Sequence, residues 1–230
     1  MALDLLHYMS ERHPKSSRER KLPGPVITIS REYGCPANEV ARKLVDAINN
    51  KAYIKGDRVN WKWVSKEILF ESAKKLELAP QYIEYVFNRE EKSVIDDIIA
   101  SHKNRYYKSD RRIRNTIGRV IRKIAEAGQV VIVGRGGVAI AKDIPASLHV
   151  HLEAPLEWRA LRGSEKHNIT VDEARKCAVQ VDRKRKEFRE SFQGKNSDYT
   201  RFDATFNCMT LAIDEIVSIL IKMAEIRKLI

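Results

Sequence analysis

Residues 28–44 read TISREYGCPANEVARKL. The preceding PVITIS (25–30) is the short β-branched run expected of a buried parallel strand, and it overlaps the start of this stretch. From Glu39 onward Val40, Leu44 and Ile48 recur at helical spacing, with Ala41 and Val45 beside them. The order is therefore strand, tight turn, helix. Such a turn cradles phosphate when it carries G-x-x-x-x-G-K-[ST], the lysine reaching the phosphates and the hydroxyl holding magnesium. Gly34 is present, but Cys35, Pro36, Ala37, Asn38 and Glu39 follow it, with no lysine and no hydroxyl. Pro36 also removes a backbone donor.

The same grammar repeats downstream. Ile117, Val120, Ile121 and Ile124 form an apolar helical stripe that Gly128 ends, and QVVIV (129–133) supplies a second buried strand. SLHVHLEAP (147–155) and DATFN (203–207) are further strand candidates. A closing helix carries Ile213, Ile216, Val217, Leu220 and Ala224 on one face. Residues 60–127 read as mostly helical, Trp61, Trp63 and Val64 included. Strands alternating with helices predict an α/β fold, a parallel sheet with helices on both sides. Ligands of such a sheet sit beyond the carboxyl ends of its strands, where Gly34 and Gly134–Gly137 both fall.

Lys and Arg number 43 against 31 Asp and Glu in 230 residues, a formal charge of +12 that favours anionic partners. Three widely spaced cysteines, Cys35, Cys177 and Cys208, argue against a disulfide framework or a zinc cluster and fit a reducing cytoplasm. No apolar run is long enough to cross a bilayer, and the first residues do not read as a signal peptide. Residues 1–24 read as an arm and 25–230 as one domain, with a helical insertion at about 55–127 and a lid region at about 156–200.

The second glycine stretch, VVIVGRGGVAIAKDIPASLHVHLEAPLEWRALRG (130–163), presents Gly134-Arg135, then Ala154-Pro155, then Arg159 and Arg162. TVDEARKCAVQVDRKRKEF (170–188) adds Asp182, Arg185 and Phe188 at a spacing of three. Together with ITISREYG (27–34), this ordered set resembles the cytidylate kinases, and more closely the cytidylate-kinase-like branch of the P-loop nucleoside monophosphate kinases. The resemblance implies a three-layer α/β/α fold with a helical acceptor-binding insertion and a mobile lid. It implies ATP and Mg2+ as cofactors, and transfer of the γ-phosphoryl to a nucleoside monophosphate, CMP or dCMP first. Residues 31 and 34–39 would form the phosphate loop, with Arg31 lending charge. Gly134, Arg135, Gly136 and Gly137 would meet the acceptor. Asp182, Arg183 and Arg185 would belong to the lid, and Arg135, Arg159, Arg162 and Arg185 would stabilise the transferring charge. Where that branch has Gly-Gly-Arg, this chain has Pro36-Ala37-Asn38. Gly136 stands where cytidylate kinases proper have an aspartate.

Two further readings stay open. The chain is a nucleotide-binding protein of the same fold with little or no kinase activity, or a nucleic-acid-binding module using Arg111, Arg112, Arg114, Arg119, Arg122 and Lys123. Structural roles account for several features at once. Thr170 with Glu173 is a capping box, His149 and His151 fit satisfied polar residues at a sheet edge, and Cys35 fits a small filler. A face formed by Val171, Ala174, Ala178, Val181, Arg185, Phe188 and Phe192 turns Arg185 inward with apolar residues.

Overall fold

A computed structural model describes residues 23–57, 59–65, 67–76, 110–193 and 201–230. Most of the arm, much of the helical insertion and the end of the lid region lie outside these residues. Strand β1 (Val26–Arg31) runs through a turn into helix α1 (Ala37–Lys55). Strand β2 (Lys62–Val64) and helices α2 (Glu67–Leu76) and α3 (Asp110–Ala127) lead to β3 (Val130–Val133) and the short α4 (Gly137–Ile140). After β4 (Ser147–Glu153) come α5 (Leu156–His167), α6 (Val171–Gln193), β5 (Ala204–Asn207) and α7 (Ile213–Ile226).

All described strand pairings are parallel, and the strand order is β2-β3-β1-β4-β5. The alternation of side chains along each strand divides the core into two layers. Ile27, Ile29, Val131 and Val133 face Val40, Leu44 and Ile48 of α1 and Ile216 and Leu220 of α7. Val26, Val130 and Ile132 face Ile68 of α2 and Ile113, Ile117 and Ile121 of α3. Each such side chain contributes about 1.5–3 kcal/mol on burial. The sheet is thus covered on both faces, which is why its central strands β1 and β3 read as buried β-branched runs.

Two expectations are corrected. Residues 62–64 form an edge strand rather than part of a helix, with Lys62 in register with Val130. The cause lies in α1: the Asn49 side chain donates to Trp61 O at 2.9 Å and accepts from the Trp61 amide at 2.8 Å. It pins the chain extended as it enters the sheet. Strand β4 lies inside the sheet between β1 and β5, so His149 and His151 are not at an edge. Both are buried. His149 Nδ1 lies 2.7 Å from Thr28 Oγ1, and the His151 ring stacks on Phe202 with centroids 4.8 Å apart.

The capping box is as read: the Thr170 hydroxyl accepts from the Glu173 amide, and the Glu173 carboxylate accepts from the Thr170 amide. The basic residues of α3 lie away from its buried stripe, and Arg122 is paired with Glu126 and Asp143. That is a solvated helix face. No described helix is long and apolar enough to cross a membrane.

Candidate functional site: two turns and the helix that crosses them

Strands β1 and β3 are neighbours, so the turns that follow them, 32–36 and 134–136, emerge side by side. Helix α6 packs over both. Gly136 shows how closely: a Cβ there would come within 3.2 Å of Phe192 and 3.3 Å of Phe188.

The first turn is folded on itself. The Cys35 amide donates to Glu32 O at 3.3 Å, and the Ala37 amide donates to Cys35 O at 2.9 Å. Pro36 occupies the helix N-cap and has no N–H. The Tyr33 amide donates to Asp182 Oδ1 of α6 at 2.7 Å. Three backbone donors that an open cradle would turn toward phosphate therefore bind the protein itself.

Arg159 explains how Asp182 is held there. Its guanidinium is almost wholly buried, and Nη1 donates to Asp182 Oδ2 at 2.6 Å. Nε donates to Ala154 O at 2.8 Å and lies 3.1 Å from Glu32 Oε2. One arginine thus ties the first turn, the end of β4 and helix α6 together. Burial pushes the Glu32 carboxyl above the ordinary range, against the opposing pull of the Ala154 amide and Arg159. Arg183 is exposed and 3.6 Å from Glu187, and the Arg162 guanidinium lies 4.7 Å from the centre of the Trp158 ring.

The second turn is different. Arg135 has a left-handed backbone, φ 54°, between Gly134 at 68° and Gly136 at 73°. A side chain other than glycine adopts that conformation at a cost of about 1–2 kcal/mol, and such strain concentrates at functional sites. A cavity of about 220 Å³ opens beside it, lined by Arg31, Arg135, Lys184, Arg185 and Arg189 with Phe188, and by no carboxylate among the described residues. Burial first, and then the like charges of Arg185 and Arg135, push the Arg31 pKa down. Arg185 is also depressed, chiefly by burial, and its Nη1 donates to Arg31 O at 3.1 Å. Inward-facing Arg185 is as the helical pattern read it.

A larger cavity of about 670 Å³ borders the first turn. There Arg31, Arg162, Lys166 and Arg185 are interspersed with Glu32, Glu39 and Glu165. The residues present do not fit magnesium triphosphate in the manner of a complete phosphate loop: the lysine and hydroxyl positions hold Ala37 and Asn38, and three amides are turned inward. Among the described residues no three His, Cys, Asp or Glu side chains cluster to hold a metal.

The structure therefore brings Arg31, Arg135 and Arg185 to one cavity and places Arg159 in an ion-pair network. Sequence reasoning missed Glu32, Lys184, Arg189 and the Asp182–Tyr33 contact. Lys184 and Arg189 lie in the basic run 183–189, and only their placement over Gly134–Gly136 separates them from an ordinary solvated face.

The parallel order β2-β3-β1-β4-β5, with helices on both faces of the sheet, is that of the P-loop kinase fold. A crystal structure of shikimate kinase from Bacteroides thetaiotaomicron superposes with a TM-score of 0.52 over 87% of this chain and 98% of its own, at 14% identity. A crystal structure of an uncharacterized protein from Eubacterium ventriosum superposes with a TM-score of 0.61, at 22% identity, over 87% of this chain and 97% of its own. Among curated proteins none matches. The sequence profile of the cytidylate kinase-like family matches residues 26–210. The chain belongs to the cytidylate kinase-like family.

Proposed function

We propose that this kinase-like protein binds nucleotides through their phosphates, that its stronger site takes a nucleoside monophosphate at the Arg135 cavity, CMP or dCMP first, and that phosphoryl transfer from ATP and Mg2+ is weak. The observation that carries this reading is a cavity beside a strained turn, lined by Arg31, Arg135, Lys184, Arg185 and Arg189 and, among the described residues, by no carboxylate. Burial and then the like charges of Arg185 and Arg135 already depress Arg31, and a phosphate offsets that repulsion by giving the guanidiniums a bidentate anionic partner. Arg135 anchors the acceptor phosphate, Arg31 and Arg185 flank it, and Arg159 acts through Asp182 and Glu32 by holding the lid helix to the loop. The inward-turned amides of the first turn support the weak-transfer part of the reading.

The test is a thermal melt with CMP, dCMP, UMP and AMP in turn. Monophosphate at a hundred times its Kd stabilises by about 2.7 kcal/mol. Arg135→Ala removes that shift, a loss of roughly 2–5 kcal/mol in binding for a desolvated pair. A shift that persists in the variant takes Arg135 out of the site.

A further inference from the structure

We propose that a cavity at the amino ends of the strands is a second binding site, independent of the phosphate turns, and that it takes a carboxylate carrying a single aliphatic chain. The cavity holds about 470 Å³, within the range of small-molecule sites, about 300–1,000 Å³. Pro25 precedes β1, Gln129 precedes β3 and Ala146 precedes β4, and all three line it. The two glycine turns follow the opposite ends of β1 and β3. Neither the Arg135 cavity nor the one at the first turn shares a lining residue with it.

Its walls are apolar, and their backbone groups are already engaged. Ile48 and Ala52 of α1, Val59 and Trp61 ahead of β2, and Leu229 and Ile230 beyond α7 form these walls. The Asn49 side chain takes both the amide and the carbonyl of Trp61. Ala52 O accepts from the Asp57 amide at 2.9 Å, Gln129 O from the Lys62 amide at 3.1 Å and Ala146 O from the Val26 amide at 2.9 Å. The Leu229 amide donates to Ala224 O at 2.9 Å. A polar body seated here would lose its water without gaining hydrogen bonds in return, which is costly. An aliphatic chain loses nothing by entering and gains from leaving water.

Charge at the edge selects the head group. Lys55 and Lys228 are exposed, both line the cavity, and among the described residues neither has an ion pair. Lys51 lines it too but is held by Glu225. Asp57 is the one acidic side chain in the lining, so the two lysines leave the edge positive. Helix α1 supplies both halves of the site: Ile48 and Ala52 follow each other by one helical turn, as do Lys51 and Lys55, which sets aliphatic surface and ammonium groups side by side. Lysine stems lie along apolar surface while their charged ends stay in water. An apolar interior and a cationic edge together specify a ligand with a hydrocarbon body and an anionic end.

The test titrates the full chain with hexanoate, octanoate and decanoate, each below its micelle concentration, by isothermal calorimetry. One saturable site should tighten by about fourfold for each methylene added. Ala52→Glu, which sets a carboxylate into the cavity from α1, should abolish binding of decanoate. Lys55→Glu with Lys228→Glu changes only exposed side chains and should weaken decanoate at least tenfold at low salt. Absence of saturable binding along the whole series overturns the proposal, as does an affinity that ignores chain length or that survives in both variants. Retention on phosphatidylglycerol vesicles without decanoate binding assigns the face to a membrane and overturns it too, and so does a dimer that Ala52→Glu splits and decanoate does not. The monophosphate melting shift should be the same in Ala52→Glu as in the natural chain, so the two sites stand or fall separately.

Discussion

Asp182 of helix α6 accepts the amide of Tyr33 at 2.7 Å with one carboxylate oxygen and Arg159 Nη1 at 2.6 Å with the other. A carboxylate 149 residues further along the chain thus occupies a backbone amide of the first turn. Under the proposed function, a phosphate at the first turn would compete with this internal carboxylate. The Asp182 side chain is 23% exposed and Arg159 only 7%, so the pair is shielded enough to matter and open enough to exchange.

Removing one member leaves a buried charge without its main partner. Asp182→Ala should destabilise the fold by about 3 kcal/mol, the lower end of the range for broken buried pairs because Asp182 is partly solvated. It should also tighten inorganic tripolyphosphate binding by freeing the Tyr33 amide. Replacing both, Arg159→Met with Asp182→Leu, should cost less than the two single changes added together. Urea titration of the four chains gives the coupling, and simple additivity would show that the pair is not a unit.

Gly134 and Gly56 make a matched comparison. Both have left-handed backbones, φ 68° and 78°, but a Cβ at Gly134 runs into the Arg31 guanidinium whereas nothing lies within 4 Å of one at Gly56. Gly56→Ala should show only the backbone cost, about 1–2 kcal/mol. Gly134→Ala should show that cost and lose the monophosphate melting shift as well, because Arg31 is displaced from the cavity. Equal behaviour of the two variants would remove Arg31 from the anion site.

Rebuilding the first turn tests the weak-transfer reading directly. Pro36→Gly, Ala37→Gly and Asn38→Arg together restore a backbone donor and a positive charge. Preorganised charge of that kind is worth about a hundred- to a thousandfold in rate, or about 3–4 kcal/mol of barrier. ATP consumption with each monophosphate should become measurable in the triple variant under conditions where the natural chain shows little. Turnover by the natural chain at ordinary kinase rates, about 1–100 per second, would mean that another cation has taken the lysine's role.

Acid should loosen the fold through β4. Burial, with Arg189, Arg185 and Arg159 close by, lowers His151 from the ordinary 6.5 to about 4, and burial lowers His149 as well. On acidification the unfolded chain takes up these protons first, so stability is full above pH 6.5 and falls as the pH drops toward 4. Each unit of separation is 1.36 kcal/mol, so His151 alone accounts for about 3 kcal/mol. His151→Phe should flatten the decline of the melting temperature across that window. An unchanged slope would place the acid sensitivity elsewhere.

Much of this was legible in the linear chain. Strands β1 and β3 announced themselves because a strand covered on both faces is mostly β-branched and apolar, β4 and β5 by short strand-like runs between helices, and α3 and α7 because each buries one stripe. Strand β2 was not, since its three residues are held extended by the Asn49 side chain of a preceding helix rather than by their own pattern. The site divided the same way. Gly134-Arg135 and Gly34 are local signals at strand ends and could be found. The partners of Arg159 and the seating of Lys184 and Arg189 over the second turn join residues far apart in sequence, and only the folded chain brings them together.

Strands β1 and β3 pair from Val26 with Val130 to Ile29 with Val133, and the Gly134 amide prolongs the ladder by donating to Ile29 O at 2.9 Å. Neighbouring strands stand about 4.8 Å apart, and backbone hydrogen bonds do not stretch to suit a guest. The two turns are therefore mounted on a ruler: the gap between anything seated on one and anything seated on the other is set by main-chain spacing. Side-chain replacement can change which anions are held and how firmly, but not how far apart they sit. Altering that separation would require a register slip, which would throw Ile27 and Ile29 onto the opposite face of the sheet. The interior of the protein thereby guards a distance at its surface.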